Sequence, residues 1–236
     1  MLELSQQILD ALSNVERANK RIEEKGLHLT QAAGGALYVF DVFAIGALNR
    51  ATAMTSAFRK LVADRNMVTA GALIRMHLDT AFRFYASVLV DNRTAFATAV
   101  FDGKAIRDLQ DRHGKRMNDG YLVRQLEGQY PGVHQVYETA CNYVHMSFTH
   151  MQSALDGADL ANHLVHFQIA ATDRSLPDPF YVGACDTFCA ITDILLELVD
   201  GWILDKIRME KLDNQSQESV LEDDSETSGD NPVRVS

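Results

Sequence analysis

Two histidines and a serine stand close together in Asn142-Tyr143-Val144-His145-Met146-Ser147-Phe148-Thr149-His150, inside a stretch otherwise patterned like an apolar helix. A histidine near its unperturbed pKa exchanges protons at neutral pH, so His145 or His150 beside an anion-binding arginine would serve as acid or base. An earlier segment supplies the arginine: Arg75, Asp79 and Arg83 follow one another at four-residue steps, along one flank of a helix. Asp41 lies in the apolar run Tyr38-Val39-Phe40-Asp41-Val42-Phe43, where a lone carboxylate is costly, so it predicts an arginine or histidine partner. The economical expectation is one interhelical polar network of Asp41, Arg75, Asp79, Arg83 and His145, with Ser147 beside it. In a functional version Arg75 holds an anion and His145 moves protons. In a structural version, weighted above the first, the same ions specify how the helices pack.

Other chemistries are poorly supplied. On a helix His150 sits about 140° round from His145, so one metal ion would not take both, and no metal or cofactor is predicted. Glu-x-x-His pairs, as used by di-metal bundles, are missing from the sequence. There is no Gly-x-Ser-x-Gly elbow, and Cys141 falls on an apolar stripe, where a thiol is usually inert. Gly34-Gly35 lacks the lysine and hydroxyl pattern of a phosphate loop. The six basic residues Lys104, Arg107, Arg112, Lys115, Arg116 and Arg124 are interleaved with five acids, Asp102, Asp108, Asp111, Asp119 and Glu127, which leaves only +1 and reads as a solvated mixed-charge face.

The elements that must position these groups read as helices. The chain has 236 residues, 47% of them hydrophobic, and only four prolines, which suits one helical domain. An amphipathic helix is predicted over 3–24 with Gly26 as its end, then helices over 36–62 and 67–90 forming a hairpin across Asp64-Arg65-Asn66. Short helices follow over 93–100, 104–111 and 121–127, the last capped by Asn118 or Asp119. A fourth long helix over 133–155 places Tyr137, Cys141, Val144, Phe148, Met151 and Leu155 on one core-facing stripe. Residues 164–169 suit a short strand, and Asp178-Pro179 opens a final helix to about Met209. The fold class is therefore all-α: a single bundle of about five long helices with short ones between, over residues 1–211. Residues 212–236 hold −6 of the formal net charge of −10 and are predicted to be a disordered acidic tail.

The acidic balance argues against a DNA-binding surface. Three unpaired-looking cysteines fit a reducing cytoplasm, and the N-terminus lacks a signal-peptide pattern. The most apolar run, 34–48, is short and carries Asp41, which predicts a buried helix and no membrane span.

Three stretches, Leu73-Ile-Arg75-Met-His-Leu-Asp79, Gly114-Lys-Arg-Met-Asn-Asp119-Gly-Tyr-Leu122 and Tyr137-Glu-Thr-Ala-Cys-Asn-Tyr-Val-His145-Met-Ser147, resemble a group of uncharacterised bacterial helical proteins across roughly residues 35–155. Arg75, Asp79, His145 and Ser147 match residues that recur in that group. More remotely the bundle resembles HEPN-like domains, many of them ribonucleases of defence and toxin systems that use Arg-x4-His in a site shared across a dimer. This chain has no Arg-x4-His: Ala140 stands five residues before His145, and His145 five before His150. The resemblance implies a cytoplasmic interaction or regulatory module in a defence setting, with a protein partner or a second copy. The alternative is a metal-independent ribonuclease in which His145 and His150 act with Arg75 on RNA.

Overall fold

Ser5 opens the first helix by accepting a hydrogen bond from the Ile8 amide (3.4 Å), leaving α1 (Gln6–Gln31) to bury Ile8, Val15, Ile22 and Leu29 along one stripe. In the computed structural model, which describes residues 4–159, 162–173 and 176–226, α1 passes through Gly26 without a break. Ile22 and Leu29 are buried on either side of that glycine and hold the helix together across it, which overrides glycine's weak propensity.

Asp41 caps α2 (Val39–Ala63) by accepting from the Tyr38 amide (2.8 Å). The 64–66 turn, with Arg65 at φ 54°, reverses the chain into α3 (Met67–Tyr85), capped by Asn66. These two helices pack as the predicted hairpin. The short α4 (Arg93–Phe101) follows. Residues 104–111 form only a 3-10 turn at Ile106–Asp108, not the expected helix. Asp111 is the reason: it accepts from the His113 and Lys115 amides and from the Tyr121 hydroxyl (2.5 Å), and so draws the segment into a loop. Asn118 then caps α5 (Asp119–Glu127).

The expected helix over 133–155 is two helices. α6 (Val133–Val144) stops at His145, whose backbone is extended (φ −102°, ψ 142°), and α7 (Phe148–Ser153) starts afresh. Ser147 makes the break: its hydroxyl donates to Asn142 O (2.7 Å), and its amide donates to His150 Nδ1 (3.3 Å). The expected core stripe is divided accordingly. Tyr137 and Cys141 are half-buried on α6, while Val144, Phe148, Met151 and Leu155 are exposed. A hairpin follows, β1 (Leu155–Asp159) pairing antiparallel with β2 (Leu164–Phe167) so that Leu155 opposes Phe167 and Asp159 opposes Leu164.

The last helix, α8 (Asp178–Glu226), packs along α1 and α3 and contributes Tyr181, Phe188, Leu195 and Trp202 to a core shared with Phe40, Phe58, Leu78 and Phe82. It runs past Met209 into the segment read as a disordered tail. No proline or glycine interrupts 212–226, and its Leu, Gln and Glu residues favour helix. Residues 227–236 of that expected tail lie outside the described residues. The architecture is an all-α bundle, and no helix among the described residues is long and apolar enough to cross a membrane.

Candidate functional site

The Arg75, Asp79, Arg83 line on α3 is real, and α5 completes it. Asp119, in the first turn of α5, takes Arg75 Nη2 on one carboxylate oxygen (2.9 Å) and Arg83 Nη2 on the other. Asp79 bridges the same pair from within α3, at 3.8 Å from Arg75 and 3.3 Å from Arg83, and meets Arg50 of α2 at 3.4 Å. Arg75 also lies over the Tyr137 ring at 4.5 Å and donates from Nε to Cys141 Sγ (3.4 Å). Arg83 donates in addition to Met117 O (3.3 Å). Both guanidiniums are thus mostly buried and engaged by carboxylates, which leaves them little capacity for an outside anion. Asp119 was overlooked as a partner because it belongs to another helix. Its signal was its place at a helix N-terminus, where the macrodipole favours a carboxylate.

Asp41 belongs to a different site. Its fully buried carboxylate accepts from Trp202 Nε1 (2.7 Å) and pairs with Lys206 Nζ (3.1 Å), both on α8, and Lys206 donates further to Leu29 O of α1 (3.0 Å). The expected partner was an arginine or a histidine; the observed one is a lysine. It was hidden because Lys206 sits on the apolar stripe of α8 with Trp202 and Ile203, where the flexible stem can pack and the ammonium can still reach a carboxylate.

His145 joins neither cluster. It terminates α6, its amide bonds Cys141 O (3.1 Å), and its exposed side chain makes no hydrogen bond or ion pair among the described residues. His150 and Ser147 are committed to capping α7. The proposed five-residue network therefore resolves into an arginine and aspartate cluster on α3 and α5, a buried Asp41–Lys206 pair, and a capping turn. Among the described residues no three His, Cys, Asp or Glu side chains are arranged to hold a metal ion.

What α7 and the hairpin do present is apolar surface. Met146 (83% exposed), Phe148 (66%), Phe167 (72%) and Ile169 (104%) stand in solvent, together with Val144, Met151, Leu155, Leu164 and Val165. Residues 144–169 thus form an arm with nine large exposed apolar side chains among its described residues and no lysine or arginine in its sequence. Periodicity predicted Val144, Phe148, Met151 and Leu155 to be buried, and it was misled by the break at Ser147. Comparison with protein-family models, with curated proteins and with solved structures finds no match to this chain.

Proposed function

We propose that the chain is a protein-interaction module that works as a homodimer, with the 144–169 arm of one copy covering that of the other. The exposed apolar arm carries this reading. Large apolar side chains gathered at such exposure in one segment mark an association surface, because monomers rarely leave them together in solvent. A two-stranded hairpin is marginal by itself and has open strand edges, which a second copy can cover. Charge favours the same place. Two chains of net −10 repel, but the arm holds only Asp156 and Asp159, so copies can approach there at little electrostatic cost. The resemblance to HEPN-like domains, which pair across a shared site, points the same way. A nuclease reading gains no comparable support, because Arg75 is engaged by Asp119 and stands apart from the histidines in bonding.

Sedimentation equilibrium of the full chain tests the proposal. The wild type is expected as a dimer at micromolar concentration. Phe148→Glu with Phe167→Glu is expected to weaken association at least about tenfold without loss of helical circular dichroism. A monomeric wild type, or a double variant that dimerises unchanged, would refute it.

A further inference from the structure

Two cavities meet where α3, α6 and the start of α8 converge. One, of about 370 Å³, is apolar, with Gly71, Ile74, Val136 and Ala140 in its walls. The other, of about 410 Å³, is lined by Val68, Leu176, Thr149, Gln152 and Asp173. Met67, Thr139, Tyr143 and Phe180 line both, so the two adjoin as a two-part cleft. The cleft depends on Gly71: a Cβ there would lie 2.4 Å from the Tyr143 ring, and its absence lets that ring settle against α3.

Asp173 is the unusual group. It is 7% exposed, and one oxygen accepts from the Met67 amide at the start of α3 (2.6 Å), but no Lys, Arg or His pairs with it among the described residues. Arg65 is turned away, bonded to Asp178 (2.8 Å) and lying over the Tyr181 ring. Burial holds the Asp173 carboxyl above its ordinary value, and only the Met67 amide works in the other direction. A buried carboxylate with no counter-charge among the described residues, on the wall of a cavity that Tyr143 and Phe180 also line, is complementary to an ammonium group.

We infer that this cleft binds a small organic amine, its ammonium against Asp173 between Tyr143 and Phe180 and its apolar body in the half lined by Ile74, Val136 and Ala140. The amine supplies a positive charge that no described residue brings to Asp173, and the aromatic faces add cation–π attraction. Thr149 and Gln152 place the site at the root of the arm, although the inference does not depend on dimerisation.

Calorimetric titration of the full chain with phenethylamine tests it, with phenethyl alcohol as the uncharged counterpart and n-butylamine as the equivalent of a protein lysine. Phenethylamine is expected to bind at least tenfold more tightly than either, and Asp173→Asn to lower its affinity by a similar factor. Thr139→Trp, a change on the exposed wall of both halves, is expected to abolish binding while helical circular dichroism is kept. That variant decides the matter even if Asp173→Asn fails to fold. Absence of phenethylamine binding, equal binding of the alcohol or of n-butylamine, or undiminished binding by Thr139→Trp would each overturn the assignment.

Discussion

His77 is fully buried on α3 and stacks on Phe188 (4.2 Å between ring centroids), whose other face meets Phe58 at 4.3 Å. The Thr192 hydroxyl donates to Phe188 O, so at 2.8 Å from His77 Nε2 it must accept, which places the imidazole proton on Nε2. Nδ1 is left as a buried acceptor with no partner among the described residues. Burial, with a smaller contribution from the Arg50 charge, pushes the pKa from 6.5 down to about 3. The folded state keeps His77 neutral, whereas the unfolded chain takes up a proton near 6.5. The neutral ring's contribution is therefore complete above pH 6.5 and is lost as pH falls toward 3, with a limiting slope of ~1.4 kcal/mol per pH unit. His77→Leu should flatten the dependence of melting temperature on pH below 6.5; an unchanged slope would show that another group is responsible. Sequence reasoning singled out His145 and passed over this residue. The signal was present, since His77 lies among buried Ile74, Leu78 and Ala81, but apolar neighbours do not show that a histidine is held neutral.

Among the elements, the pairing of α3 with α6 depends on one position. Tyr143 packs directly on Gly71, so Gly71→Ala must displace the ring or separate the helices, at a cost of about 1–3 kcal/mol. Denaturant midpoints should show that loss, and Tyr143→Leu in the same background should recover most of it. Strict additivity of the two changes would mean that the contact does not set the approach. Element boundaries were legible where the signal was local. Asn66, Asn92 and Asn118 each cap a helix near its predicted start. They were illegible where a side chain replaced backbone bonding. The Ser147–His150 cap lacks the Glu or Gln of the usual capping box, and Asp111 gathers donors from beyond its own predicted helix. The polar cluster was half legible for the same reason: the four-residue steps of α3 are local, and Asp119 is not.

At the scale of the whole molecule, α1, α2 and α8 are joined by the Asp41–Lys206 pair, which links residues far apart in the chain. Both side chains are essentially inaccessible, so removing one partner strands the other. Lys206→Met should cost ~3–5 kcal/mol, and Asp41→Asn added to it should restore a large part. Urea unfolding of the two variants checks this; a single variant as stable as wild type would contradict the pairing. The bundle class followed from composition and periodicity, but the arm did not. Val144, Phe148, Met151 and Leu155 have a helical spacing that resembles core, and the break at Ser147 sends them outward, while the six residues of 164–169 were too few to show which side they would face.

Trp202, the sole tryptophan, donates to Asp41 and meets the Phe40 ring edge-on at 4.7 Å, twenty-four residues along α8 from Asp178 and so about 36 Å from that end of the helix. Its fluorescence therefore reports on the end of the bundle remote from the arm and the amine cleft. Emission should redden when the core opens and stay constant when the proposed dimer separates or an amine enters, so a single intrinsic fluorophore distinguishes unfolding from either event in the same cuvette.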